Sequence, residues 1–187
     1  MRASFGFSRR LFVALGLAAL GASPAAAADP MTLPAMKAAF LFNFAKFAEW
    51  PADVLSTNAP VVLCVVGDDR VAEELRKAID GHSIGGHTVV IARGKADSLP
   101  RCHMLYMSGL NRKQSAQLLE SLKGMAVFTV GDGEKFAEMG GIAQLVLENQ
   151  RMRFAINVSS AQRAQITLSS KLLSLAQIIK DEHDVQR

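Results

Sequence analysis

Three side chains in the aromatic-rich stretch MKAAFLFNFAKFAEWP, residues 36–51, are the first candidates for a binding site. Asn43, Lys46 and Trp50 recur at intervals of three and four residues, which would place them on one face of a helix. Lysine carries a charge on an apolar stem, and asparagine can hydrogen-bond a carbonyl or a carboxylate. The spacing predicts a polar patch for a ligand or a protein partner. The alternative is a solvated edge, or a structural polar network, of a helix that buries its phenylalanines.

A second candidate is the run Ser169, Ser170 and Lys171 at the start of a predicted helix. Free backbone N–H groups at a helix N-terminus can bind an anion, and the lysine would add a positive charge. A serine cap followed by a charged residue produces the same run with no ligand. We assign the three residues to the same predicted ligand or partner surface, and composition alone does not choose between the two interpretations.

Residue types that carry catalysis or bind metals form no recognisable set. The chain has no G-x-S-x-G turn, no H-E-x-x-H helix and no Walker loop. His82 and His87 flank a Gly-Gly turn, but no carboxylate or thiol lies close in sequence to complete a metal site. Asp68 and Asp69 follow a predicted strand, where open α/β sheets place ligand loops, without the glycine-rich phosphate fingerprint. We therefore expect no enzyme activity, no cofactor and no metal.

The start of the chain has the features of a secretory signal. Arg2, Arg9 and Arg10 precede the apolar segment LFVALGLAALGA, which is too short to span a bilayer comfortably. The small residues SPAAAA follow and offer a cleavage site before Asp29. We predict a signal peptide over residues 1–28 and export of residues 29–187 as a single domain. The alternative is an uncleaved membrane anchor.

Export changes how the cysteines and the charge are interpreted. Cys64 and Cys102 are the two cysteines, and an even count in an oxidising compartment predicts a disulfide, with two buried free thiols as the alternative. Cys102 precedes His103, but an apolar strand in that compartment favours a structural cystine over a thiol nucleophile. The signal carries three of the four net positive charges, so the exported part is nearly neutral. It lacks the basic patch that nucleic-acid binding requires.

Apolar periodicity predicts an alternation of helices and strands. Helices are expected over residues 36–50, 69–80, 111–123 and 169–180, and strands over 61–67, 88–92, 102–108, 125–130, 142–147 and 152–158. The last two strands are separated by four residues, which predicts an antiparallel hairpin. The predicted fold is α/β: a three-layer sandwich with a mostly parallel sheet, a C-terminal antiparallel hairpin and flanking helices.

The sequence resembles the YfiR family of exported bacterial proteins. The likeness lies in KAAFLFNFAKFAEWP, VVLCVVGDD, RCHMLYMS, MAVFTVGDGEKFAEMGGIAQLVLENQRMRFAINV and LSSKLLSLAQII, in this order, over residues 33–179. The combination of NFAKF, FAEMGG, FAIN and SSKLL is specific, whereas no single piece would be. Cys64 and Cys102 match one cystine pair of the family's best-known member. A second pair near its hairpin has no counterpart here, which puts redox control through that pair in doubt.

The resemblance implies a periplasmic regulator without enzyme activity. The family's best-known role is repression of an inner-membrane diguanylate cyclase by contact with its periplasmic part, which lowers cyclic-di-GMP and biofilm formation. An outer-membrane-associated lipoprotein can sequester that repressor. We expect the same role here, with a homodimer as an open possibility. The alternative is a periplasmic small-molecule-binding sensor module for another membrane receptor, such as a histidine kinase, and a secreted enzyme is a third class.

Overall fold

The computed structural model describes residues 31–96, 98–99 and 101–179, so the predicted signal peptide, residues 1–28, lies outside the described residues. Fourteen elements follow one another in these residues. In chain order they are α1 (Leu33–Lys46), β1 (Ala48–Glu49), β2 (Val61–Val66), α2 (Asp69–Ile79), β3 (Val89–Arg93), β4 (Met104–Met107), α3 (Arg112–Ser121), β5 (Phe128–Gly131), β6 (Ala143–Glu148), β7 (Arg151–Asn157), α4 (Val158–Arg163), β8 (Thr167–Leu168), α5 (Ser170–Leu173) and β9 (Gln177–Ile179).

A seven-stranded sheet organises the fold, with the strand order β3-β2-β4-β5-β6-β7-β9. Neighbours from β3 to β6 pair in parallel, β6 and β7 form an antiparallel hairpin, and β9 runs parallel to β7. A separate two-stranded antiparallel sheet joins β1 to β8. The predicted α/β fold with a mostly parallel sheet and a C-terminal hairpin is confirmed.

Helices cover both faces of the sheet, and strand β2 shows why. Val61, Leu63 and Val65 point to the side where α1 and α2 pack, and they belong to the larger apolar core. Cys64 and Val66 alternate with them and belong to a second core on the side of α3. A strand that is buried on both faces needs an apolar residue at every position, which accounts for the run VVLCVV.

Helix α1 is shorter at its C-terminal end than its sequence pattern predicted. It begins at the cap Thr32, with a proline in its first turn, and it ends at Lys46 rather than at Trp50. The chain then leaves the helix because β1 pairs with β8, and the Phe47 carbonyl accepts a hydrogen bond from the Ser169 N–H at 3.0 Å. Trp50 therefore does not share a helix face with the residues before it, and that prediction is wrong.

The predicted helix over residues 169–180 is also wrong in most of its length. Helix α5 covers only Ser170–Leu173, and Gln177–Ile179 forms the edge strand β9. Leu172, Leu175 and Ile179 fit a helical period, but the β-branched Ile178 and Ile179 also suit a strand. Backbone pairing with β7 decides in favour of the strand. Lys180 lies outside the described residues.

Helix α4 was not predicted, and it starts where buried Asn157 ends β7 and caps the following turn, accepting from the Ser160 N–H at 2.8 Å. Within the described part of the chain, no helix has both the length and the apolar character needed to cross a bilayer.

Candidate functional site

A polar cluster lies at the carboxyl ends of two neighbouring parallel strands. Tyr106 and Ser108 come from the end of β4, Asp132 follows β5, and Lys37 reaches them from α1. One oxygen of the Asp132 carboxylate, Oδ2, accepts hydrogen bonds from the Tyr106 hydroxyl at 2.7 Å and from the Ser108 hydroxyl at 2.9 Å. The Lys37 ammonium donates to the same oxygen and forms an ion pair with it. We call these four residues the Asp132 cluster.

The surroundings of the Asp132 cluster fix its charge state. Burial raises the pKa of the Asp132 carboxyl, but hydrogen bonds from Lys37 and Tyr106, and the lysine's charge, outweigh it and hold the pKa below its usual value. Burial also raises the pKa of the Tyr106 hydroxyl, which the nearby carboxylate reinforces. At neutral pH the carboxylate is therefore ionised and Tyr106 is a neutral donor. The cluster ties α1 to the sheet electrostatically.

The cluster borders the point where the strand order reverses. β3 lies on one side of β2 and β4 on the other, and ligands of open α/β sheets bind in the crevice at such a point. Here the loop after β2 packs closely against the residue that follows β4. A Cβ atom on Gly67, whose φ is +89°, would lie 1.8 Å from the Ser108 carbonyl oxygen. Asp68 caps α2 by accepting from the Arg70 N–H at 3.1 Å. The loop that carries Asp68 thus serves as the start of α2.

Sequence reasoning did not single out the Asp132 cluster. A signal was present, because Ser108 and the triplet Gly131-Asp132-Gly133 both end predicted parallel strands, whose carboxyl ends meet at one edge. The loop after Asp132 is held by Phe136. Its buried ring occupies the space above Gly131 and Gly141, where added Cβ atoms would lie 2.5 and 2.1 Å from it. The FAEMGG stretch is therefore a packing motif that positions the carboxylate.

Of the residues predicted for a binding patch, Asn43 and Lys46 lie exposed on the last turns of α1. The Asn43 amide donates to the Ala39 carbonyl of its own helix at 2.9 Å. The Lys46 ammonium lies 5.4 Å from the centre of the Phe42 ring, a cation–π distance. These contacts are local to the helix, so both side chains keep solvent-facing surface.

Trp50 is held elsewhere, against the buried His103. The indole N–H donates to the His103 carbonyl at 2.9 Å, and the two rings meet edge to face. The His103 Nδ1 accepts from the Val62 N–H at 3.0 Å, while Nε2 lies 3.4 Å from the Val54 carbonyl. This pattern requires the neutral tautomer with its proton on Nε2. Burial, the largest cause, lowers the pKa of His103 and favours the same form.

The structure does bring Ser169, Ser170 and Lys171 to the end of α1. The pairing of β1 with β8 places them there, and the Ser169 N–H donates to the carbonyl of Phe47, the residue that caps the C-terminal end of α1. The Ser169 hydroxyl caps α5, accepting from the Leu172 N–H at 3.3 Å. Ser170 and Lys171 are exposed. We call Asn43, Lys46, Ser170 and Lys171 the α1-end surface; it differs from the predicted patch by losing Trp50 and the capping serine.

Cys64 and Cys102 are joined by a disulfide bond. Their Cα atoms are 5.8 Å apart, and the bond links the middle of β2 to the residues just before β4. Both side chains are buried on the α3 side of the sheet, among apolar neighbours. The bond therefore has the setting of a structural cross-link.

The histidines of the Gly-Gly turn have structural partners as well. The His87 ring nitrogen Nδ1 lies 2.8 Å from the Ala59 carbonyl, and the His82 Nδ1 lies 2.7 Å from the Asp80 carbonyl. Among residues 31–96, 98–99 and 101–179, no three His, Cys, Asp or Glu side chains gather in a way that could hold a metal ion.

Two solved structures resemble the chain at low sequence identity. One is a conserved domain protein from Vibrio cholerae O1 biovar eltor, with 15% identity, a TM-score of 0.46 and coverage of 70% of this chain and 57% of that one. The other is an ABC domain from Streptococcus pneumonia, solved with L-Trp, with 14% identity, a TM-score of 0.48 and coverage of 68% and 58%. This chain thus spans under two thirds of either protein.

A family comparison covers nearly all of the described fold. The sequence model of a family described as YfiR/HmsC-like matches residues 34–177, from the first turn of α1 to the start of β9. The match includes the disulfide, the Asp132 cluster, the Phe136 packing motif and the α1-end surface. The chain belongs to the YfiR/HmsC-like family.

Proposed function

We propose that this chain is a periplasmic signalling regulator that represses an inner-membrane diguanylate cyclase by binding the cyclase's periplasmic part. The observation that carries the proposal is the family match over residues 34–177. A buried disulfide agrees with an oxidising compartment. Repression would lower cyclic-di-GMP in the cytoplasm, and an outer-membrane-associated lipoprotein would relieve it by binding the regulator.

The α1-end surface is our candidate for the contact with the cyclase. Lys46 and Lys171 are both exposed there, and the Lys46 ammonium lies 5.4 Å from the centre of the half-buried Phe42 ring. An aromatic ring beside cations suits a partner that offers carboxylates around an apolar residue. The fold holds this surface firmly, because the strand pair β1–β8 fixes the end of the helix.

Deleting the gene tests the direction of regulation. We expect cyclic-di-GMP and surface attachment to rise, and the purified chain to capture the periplasmic part of a cyclase from the same cell. Unchanged nucleotide levels, with the cyclase expressed, would contradict repression. Capture of a histidine kinase instead of a cyclase would support the alternative role as a sensor module.

Lys46→Met tests the surface, because methionine keeps the apolar stem and removes the charge. We expect capture of the cyclase to weaken by about five- to tenfold, the range of one charged contact at an interface, without a change in melting temperature. The matched control is Lys77→Met on α2, where the lysine is 64% exposed and pairs with Glu74 on its own helix. Equal capture by both variants would remove the α1-end surface from the proposal.

A further inference from the structure

Two imidazole rings hold the loop between β1 and β2, residues 51–60, to the body of the protein. The His103 ring donates through Nε2–H to the Val54 carbonyl at 3.4 Å. The His87 Nδ1 lies 2.8 Å from the Ala59 carbonyl, so the loop is held near both of its ends. Residues 51–60 belong to neither a helix nor a strand, and side-chain contacts of this kind therefore have to position them.

The tryptophan that enters this loop is held by the same histidine. The Trp50 indole N–H donates to the His103 carbonyl at 2.9 Å, and the two rings meet edge to face with their centres 6.0 Å apart. Trp50 and Leu55 also pack, partly buried, against the larger apolar core. His103 is therefore the point at which the hydrogen bonds and the apolar contacts of the 51–60 loop meet.

The hydrogen bonds of His103 leave no room for a second proton on its ring. The side chain is buried, at 5% exposure, and its Nδ1 accepts from the Val62 N–H at 3.0 Å. A protonated imidazole carries N–H groups on both nitrogens, so two donors would then face each other and the Val62 N–H would lose its acceptor. Protonation in place would also bury a charge. The latched loop thus requires the neutral ring.

The charged groups near His103 also oppose its protonation. Burial is the largest cause that lowers the pKa of His103; the hydrogen bond to the loop raises it, and Arg101 and His87 lower it further. The carboxylates of the adjoining segments, Glu49 on β1 and Asp53 in the loop, are exposed to solvent. The flanking strands β2 and β5 add no ionisable side chain, because Cys64 is oxidised.

We propose that His103 is the trigger of an acid-sensitive latch, and that protonation of its ring releases the 51–60 loop while the sheet stays intact. Once released, the ring has the ordinary pKa of about 6.5, so acid favours the released state. The disulfide ties β2 to the residue just before His103 and confines the change to the loop. Release exposes Trp50 and removes an anchor next to β1, the strand that fixes the end of α1.

Solvent exchange of the Trp50 indole N–H, followed by NMR, measures release directly. Trp50 is the chain's single tryptophan, and its N–H donates to the His103 carbonyl. After correction for the intrinsic pH dependence of exchange, the equilibrium constant for release should rise by up to about tenfold between pH 7.5 and pH 5.5. Far-UV circular dichroism should stay constant over this range. A constant corrected exchange rate, or a loss of helical signal together with the rise, would overturn the proposal.

Variants identify the trigger. His103→Asn keeps an acceptor near Nδ1 but cannot titrate, so the acid-dependent rise should disappear. His87→Asn is the matched control, because it removes a second imidazole from the same loop. The His87 Nδ1–H can donate to the Ala59 carbonyl in either charge state, so this variant should keep the rise. Loss of the rise in His87→Asn, with retention in His103→Asn, would refute the assignment.

The wild type supplies a readout that needs no variant. NMR signals of the His103 ring should titrate at a pH below about 6.5, whereas a released or exposed histidine titrates at that value. Titration of the His103 ring at or above pH 6.5 would contradict the latch even if the variants failed to fold.

Discussion

The ion pair between Lys37 and Asp132 makes the sharpest prediction about stability. Lys37→Met keeps the apolar stem on α1 and removes the ammonium, while the carboxylate keeps its two hydroxyl donors. The side chains of Lys37 and Asp132 are 12% and 20% exposed, so water compensates only in part for the lost charge. We therefore expect the variant to fold but to be less stable.

The size of the loss follows from these contacts. A hydrogen bond to a charged group contributes about 1.5–3 kcal/mol, and breaking a fully buried ion pair costs about 3–5 kcal/mol. For a pair that is mostly but not fully buried, we expect the free energy of unfolding to fall by about 2–3 kcal/mol. For a protein of this size that corresponds to a melting temperature lower by about 5–10 °C. Denaturant unfolding and calorimetry at pH 7 measure both quantities.

The pH dependence distinguishes an ion pair from simple packing. The pKa of Asp132 is lowered in the fold, so its stabilising contribution is present above the unfolded value of about 3.9 and is lost as the pH falls through the folded pKa. Without Lys37 that pKa should rise. The difference in the free energy of unfolding between wild type and Lys37→Met should therefore shrink at a pH low enough to protonate Asp132 in both proteins.

Two controls complete the experiment. Lys46→Met removes an exposed charge from the same helix and should change the free energy of unfolding by under about 0.5 kcal/mol. Asp132→Asn, alone and combined with Lys37→Met, should give a coupling energy of about 1–3 kcal/mol. A coupling energy near zero, or a deficit of equal size at pH 3 and pH 7, would refute the electrostatic role of the pair.

Three further predictions concern the same scaffold. His103→Asn keeps a hydrogen-bond acceptor near the Nδ1 position but cannot titrate. Because burial lowers the pKa of His103, the free energy of unfolding of the wild type should fall as the pH drops below about 6.5. Urea unfolding at several pH values should show a weaker dependence of that free energy on pH in the variant. The double variant Cys64→Ser with Cys102→Ser should have a free energy of unfolding lower by about 2–4 kcal/mol, because the disulfide joins residues 38 positions apart. A denaturation midpoint equal to that of the wild type would contradict this prediction. Gly67→Ala should destabilise the fold by at least about 2 kcal/mol more than Gly81→Ala. Both glycines have a positive φ, but only at Gly67 would the added Cβ atom collide with a backbone atom, the Ser108 carbonyl oxygen. Equal melting temperatures for the two variants would exclude the collision.

Local patterns in the sequence were enough for the fold class and for most strands of the main sheet. The apolar run of β2 predicted a strand buried on both faces, and the four-residue spacing before β7 predicted the hairpin. Apolar periodicity depends only on residues that are close in sequence. It therefore predicts an element correctly when the same face of that element is buried along its whole length. The cysteine count and the inference of export predicted the bond between Cys64 and Cys102 in the same way, because only one intramolecular pairing exists.

Tertiary contacts decided the rest, because they join residues that the sequence separates widely. The apolar pattern of α1 continues to Trp50, but pairing with a strand more than a hundred residues away ends the helix at Lys46. The same kind of contact turned Gln177–Ile179 from helix to strand. Lys37 and Asp132 are 95 residues apart in the chain, and nothing in the local sequence of either residue identifies its partner. A buried carboxylate must find its donors in three dimensions, so only the folded chain shows which lysine supplies the charge.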